Sequence, residues 1–345
     1  LISASQRLAA ALKGERLDRI PVFCNLIDQG ARELGMSIRQ YYSRGANVAE
    51  GQLRLVKKYG HDNLWSLFYV GREAVMLGCD KINFPEDGPP NVENFIIQNP
   101  EDIKKLQIPD DIYSHPEFQE EIECIRIMKK ETEGRYPVIA YLTSALTLPS
   151  ILMGMEKWFK LLLFGPTELR DELLNKCGEF FKKHLAAYKK AGADVFVYSE
   201  AFGSTDFVPM KMFTEFCLPW IKKDLAGIDM HGVVYYCGSS RLNPVIDSIM
   251  KNTGIAAFYP GPRDDAAETG RILNDRALFA GVFNDIRLIE WTPDEIRSEV
   301  KRIITAGMKS KKFIFGTSVI PCCVPETKIR ALLDAALEFG VCERR

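Results

Sequence analysis

The chain has 345 residues, 46% hydrophobic and 26% charged, which is the usage of a globular protein rather than a disordered or fibrous one. Lys+Arg 45 against Asp+Glu 46 leaves a formal charge of -1, which argues against a nucleic-acid binder working by bulk electrostatics. No apolar run reaches the roughly 18 residues of a membrane span, and the odd, thinly spread set of cysteines (Cys 9) predicts reduced thiols and a cytoplasmic location.

The opening stretch LISASQRLAAALKGERLDRIP reads as a charged amphipathic helix, not a signal peptide. Eight apolar, β-rich runs follow, at 21–27, 63–68, 137–144, 195–201, 233–238, 255–260, 278–284 and 313–318. They are nearly continuous in hydrophobicity, as in VFVYSEA and KKFIFGTS, like strands covered on both faces. Helical patterns lie between them, and several end in glycine. This alternation predicts an α/β fold, a (β/α)8 TIM barrel spanning 1–345 as one domain, with an extra N-terminal helix. No GxGxxG follows the first run, so the main support for a dinucleotide fold is missing. Residues 80–97 read as a small flap around a Gly-Pro-Pro turn, and residues 100–133 as a helical excursion.

The active site of such a barrel lies at the C-terminal ends of its strands. The polar residues predicted there include Asn25 and Asp28, Tyr141, Glu200, Tyr235 and Tyr236, Cys237, Tyr259, Asn284, Ser318, and then Cys322 and Cys323. None of the four histidines falls there, which argues against a His base or a His-rich metal site. Glu200 closes an apolar strand and is expected to face the barrel mouth. Burial there would raise its pKa and suit it to proton transfer or metal ligation. The alternative is a structural carboxylate bonded to backbone N–H groups or an arginine. Tyr235 and Tyr236 point to opposite sides of a strand, so at most one faces the lumen. Cys237 is either a zinc thiolate or a small core residue. Cys322 and Cys323 lack chelating CxxC spacing.

Several phrases resemble the uroporphyrinogen decarboxylase superfamily, which includes corrinoid-dependent methyltransferases. They are RLAAALKGERLDRIPVF, AGADVFVYSEAFGS, FTEFCLPWIKKDL, GVVYYCGSS, AGVFND, WTPDEIRSEVKRII and FGTSVIPCCVPETKIRALLDAALEFG, spread over nearly the whole chain. The resemblance implies the barrel already argued. The departures bear on the chemistry. Family decarboxylases carry Met-Arg-Gln-Ala-Gly-Arg after strand one, whereas this chain has Ile27–Asp28–Gln29–Gly30–Ala31–Arg32. Asp28 in place of an arginine would repel a polycarboxylate tetrapyrrole. The thiol methyltransferases of the family use His-x-Cys plus a later Cys for zinc. Here Tyr235 takes the His place, Cys237 is kept, and Ser318 stands at the second Cys. A third group, the substrate:corrinoid methyltransferases and O-demethylases, uses a Glu, Glu, His set. Its spacing falls on Glu200, Glu215 and Tyr236.

The resemblance therefore implies a methyltransferase that moves a methyl group from a small methylated donor to the Co(I) corrinoid (cobalamin) of a partner protein. The donor would be a methyl ether or a methylamine- or betaine-like molecule. Glu200, Tyr235 and Tyr236 would be catalytic, and Asn25, Asp28, Tyr141, Phe202, Tyr259 and Asn284 would hold the donor. Zinc is left open, with Glu200, Cys237 and Cys322 as candidate ligands and weak or no retention expected. The alternatives are a thiol methyltransferase with a rearranged zinc site, a cofactorless decarboxylase of another substrate, and a non-catalytic binding barrel.

Overall fold

The alternating runs become parallel strands in a computed structural model that describes residues 2–86 and 88–342. The strands are β1 (Leu64–Trp65), β2 (Ile82–Asn83), β3 (Asn91–Val92), β4 (Val138–Thr143), β5 (Val195–Ser199), β6 (Val233–Tyr236), β7 (Ala257–Tyr259), β8 (Leu278–Phe283) and β9 (Phe313–Thr317). Seven of them form a parallel sheet in the order β1-β4-β5-β6-β7-β8-β9. Helices fill the crossovers, such as Thr167–Ala191 before β5 and Pro293–Gly307 before β9. The second of these starts in a capping box, Thr292 with Glu295, and carries a proline in its first turn.

The first apolar run departs from expectation, because it forms no ladder. It meets the sheet through two isolated parallel bridges, Val22 with Phe315 and Asn25 with Val319. Pro21 has no N–H to give. The N–H groups of Val22, Cys24 and Asn25 go instead to side chains: Asp62 Oδ2 at 2.8 Å, Asn63 Oδ1 at 2.8 Å and Thr317 Oγ1 at 3.0 Å. Backbone bonds still reach both sides, from Phe23 N to Phe315 O and from Asp62 N to Val22 O, each 2.8 Å. The segment thus closes the barrel between β9 and β1.

Asp62 anchors that closure. It is buried, and it pairs with Arg19 and, at 2.9 Å, with Arg7. Arg7 belongs to helix α1 (Ala4–Lys13), which starts in a Ser3–Gln6 capping box. Arg7 also bonds Asp18 at 2.7 Å, and this holds the Asp18 carboxyl down at about 2. These pairs fasten α1 beside the first run at the N-terminal end of the barrel.

The flap is a short hairpin in which Ile82 pairs with Val92 and Asn83 with Asn91; Asp87 lies outside the described residues. The 100–133 excursion is a 3₁₀ turn (Pro100–Lys105), a second one (Pro116–Phe118) and a helix (Gln119–Glu131). Among the described residues, no helix is long and apolar enough to cross a membrane.

Candidate active site

Strand alternation decides which side chains reach the barrel axis. On β5, Val195, Val197 and Ser199 face it, whereas the Tyr198 ring packs on Phe181 of an outer helix. On β6, Val234 and Tyr236 face inward. A barrel of this kind normally fills its interior with layers of branched side chains. Here small residues such as Ser199, Ala256 and Ala257 help leave a cavity of about 790 Å³. It runs from Leu8, Ala9 and Leu12 of α1 to Pro89, Pro90 and Asn91 of the flap.

Most of the cavity wall is apolar, and its polar groups gather toward the mouth. Asn25 is locked in place: its amide donates to Thr317 O at 2.7 Å and its Oδ1 accepts from Trp65 Nε1 at 3.0 Å. Tyr259 also donates to Thr317 O, at 2.7 Å. Its ring lies across Gly316, where any Cβ would strike the phenol. Tyr141 donates to Ser199 Oγ at 2.6 Å. Asp28 accepts from the Tyr42 hydroxyl, and burial raises its pKa while that bond opposes the rise. Its other oxygen has no protein partner among the described residues. The Tyr236 ring stands edge-on to Tyr259 at 5.9 Å, and its hydroxyl makes no hydrogen bond among the described residues. Burial puts that phenol well above its usual pKa, so it enters chemistry as a neutral donor.

Glu200 lies elsewhere. It is fully buried but sits on the opposite side of the chain from the lining residues Ser199 and Ala201, so the expectation that it faces the mouth is corrected. Its carboxyl accepts from the Ser144 hydroxyl, from Gly203 N at 2.7 Å and from Thr147 Oγ1 at 3.4 Å. Burial raises its pKa to about 7, with hydrogen bonds from Ser144 and Gly203 opposing the rise. Thr147 lines the cavity, so Glu200 meets the lumen through one hydroxyl.

Other expected site residues also fall outside. Tyr235 faces away from the lumen, packed on Tyr198 at 5.6 Å and Phe258 at 6.2 Å, with its buried hydroxyl unpartnered. Phe202 packs on Phe159 and Phe207 instead of lining the cavity. The Asn284 amide oxygen accepts from Ile286 N at 3.1 Å, closing a local turn. Cys237 donates to Ser240 O at 3.0 Å, and burial pushes its thiol well up. Cys322 is half-buried, and its carbonyl accepts from Arg32 at 3.0 Å. Arg32 also bonds Val324 O, so its guanidinium does not line the cavity. Glu215 is exposed. Among the described residues, no three His, Cys, Asp or Glu side chains converge, so Glu200, Cys237 and Cys322 do not form a zinc-ligand set. The donors present do not fit zinc.

Sequence reasoning missed Trp65, Thr147, Tyr42 and Tyr69, all of which line the cavity. Trp65 was within reach, since it alternates with Leu67 on the second run. Tyr42 and Tyr69 come from non-strand segments, and no periodicity points to them.

Residues 3–339 match the uroporphyrinogen decarboxylase (URO-D) family. The chain belongs to that family. It is 24% identical over 342 residues to the methylcobamide:CoM methyltransferase MtaA of Methanosarcina barkeri, covering 96% of this chain and 97% of the relative. It is 28% identical over 260 residues to a uroporphyrinogen decarboxylase of Chlorobium phaeobacteroides, covering 71% of each. In fold it matches a methyltransferase from Methanosarcina mazei with a TM-score of 0.84 at 21% identity, covering 98% and 99% of the two chains. The chain is homologous to enzymes, and the barrel expectation holds. Asp28 stands on the cavity wall and Arg32 is turned away from it, so neither offers a cation to a polycarboxylate.

Proposed function

We propose that this chain is a methyltransferase that takes a methyl group from a small methylated donor and passes it to the Co(I) form of a corrinoid carried by a partner protein. The observation that carries this reading is the hollow, apolar lumen, into which Tyr236 directs a hydroxyl with no protein partner. A cavity of about 790 Å³ holds a small donor but not a corrinoid, which would have to stand at the mouth. Exposed apolar side chains in the loops after the strands, Val70, Phe207, Ile286 and Val319, suit a protein covering that opening. The relatives named methylcobamide:CoM methyltransferases support corrinoid-dependent methyl transfer in general; the donor and the direction are this proposal's own.

When present, the corrinoid supplies the nucleophile. The chain's own work is to hold the donor in line, to exclude water and to stabilise the heteroatom that the methyl group leaves. Tyr236 does the last by donating a hydrogen bond from its neutral phenol. Tyr141 and Tyr259, each fixed by a hydrogen bond, shape the wall around it. Glu200 positions Thr147 and touches no donor.

The test is methyl transfer from a panel of methylated ethers, amines and sulfides to free cob(I)alamin, read as the visible spectrum of methylcobalamin. Enzyme-dependent formation with at least one donor class is expected. No transfer from any class, with ligands still binding in the cavity, would replace this reading with that of a non-catalytic binding barrel.

A further inference from the structure

The mouth of the cavity has a charge problem that the protein leaves unsolved. Asp28 is only 5% exposed, yet one of its oxygens has no protein partner among the described residues, and no lysine or arginine bonds it. A buried carboxylate without a cation is costly. Apart from tyrosines, the ionisable side chains lining the cavity are Asp28, Lys13 and His231. Lys13 closes α1 and His231 precedes β6, so both lie at the N-terminal end of the barrel, away from Asp28. The nearby Arg72 lies over Phe68 at 5.5 Å and is matched by Glu117 and Glu121.

An aromatic cluster adjoins the same carboxylate through Tyr42. Tyr42, which bonds it, has ring centroids 5.9 Å from Phe68 and 5.6 Å from Tyr69, and all three rings line the cavity. The faces of such rings attract cations, above all weakly hydrated methylated ones. Arg72 holds the outer side of this wall, over Phe68 and bonded to Tyr69. Among the described residues, however, no cation bonds Asp28, and aromatic rings beside a half-free carboxylate suit a positively charged, methylated guest.

We propose that the ligand of this cavity is a methylated cation, a quaternary ammonium group held between Asp28 and the Tyr42–Phe68–Tyr69 wall. This rests on the proposed function for the ligand's role as methyl donor, but not for its binding.

The experiment is calorimetric titration of the full chain, without corrinoid, with choline and with its neutral carbon isostere 3,3-dimethylbutan-1-ol. Choline is expected to bind about tenfold tighter or more, a difference of about 1.4 kcal/mol. In Asp28→Asn, choline affinity should fall about tenfold and the alcohol's should stay the same. Tyr69→Leu, which leaves Asp28 and its bond intact, should weaken choline more than the alcohol. Equal binding of the two probes by the wild-type chain, binding of neither, or tighter binding of methoxybenzene than of choline would overturn the proposal. Because the readout is heat of binding without corrinoid, it stands or falls whatever the methyl-transfer panel shows, so failure of the two readings is distinguishable.

Discussion

Glu200→Gln tests where that carboxyl sits and what state it is in. Burial lifts its pKa from 4.5 to about 7. Between those values the native chain holds a proton that the unfolded chain has already released. The stability tied to this group is therefore full below pH 4.5 and is lost as pH rises through 7. A rise of about 2.5 in pKa corresponds to about 3 kcal/mol of pH-dependent stability. Asp224, raised to about 6 by burial, tilts the profile the same way, so only the difference between two proteins isolates Glu200. Glutamine copies the neutral acid: its carbonyl can keep the Gly203 N–H, and its amide can donate to Ser144. Urea unfolding at pH 5 and pH 8 is the assay. The wild-type chain should lose about 2.5 kcal/mol more than the variant between the two pH values. The effect on methyl transfer should fall well short of the 10²-fold or more lost with a general acid. Parallel stability profiles would refute the burial argument, and a collapse of turnover in a stable variant would return Glu200 to the catalytic set.

Asp62→Asn should strip Arg7 and Arg19 of their common partner and destabilise the chain by roughly 3 kcal/mol, as breaking a buried ion pair does. A drop in urea stability under about 1 kcal/mol would show that closure of the barrel does not depend on it. Gly316→Ala should force the Tyr259 ring aside, at a cost of about 1–3 kcal/mol for overpacking. Unfolding and near-UV circular dichroism would read it, and an unchanged tyrosine signal would contradict the close packing.

The fold was legible because both of its periods are strong. Continuous apolar runs such as VFVYSEA can be satisfied only by strands covered on both sides, and helices with glycine stops lie between them. The irregular first run was not legible. Its N–H groups are bonded by Asp62, Asn63 and Thr317, the last of them 292 residues away, and nothing local announces such partners. The site was half legible. Asn25, Asp28, Tyr141, Tyr236 and Tyr259 do line the cavity. Glu200 does not, because its position one residue past an inward-facing serine turns it outward. Composition names the strand, but a single step along it decides the face.

Tyr235 and Tyr236 bring that step down to two adjacent, chemically identical side chains. Tyr236 faces the lumen with a hydroxyl that no described residue engages. Tyr235 is 0% exposed on the other face, and its hydroxyl is buried without a partner. Removing each oxygen should therefore have opposite effects. Tyr236→Phe takes away the donor to the leaving heteroatom and should cost about 10²-fold in methyl transfer, with stability within about 0.5 kcal/mol of wild type. Tyr235→Phe removes a desolvated, unmet polar group and should stabilise the fold by roughly 1 kcal/mol, with the transfer rate unchanged. Methylcobalamin absorbance and urea midpoints on the two variants, prepared side by side, read both effects. Tyr235→Phe losing turnover while Tyr236→Phe keeps it would mean that β6 presents its other face to the donor, and the cavity chemistry derived from Tyr236 would fall with it.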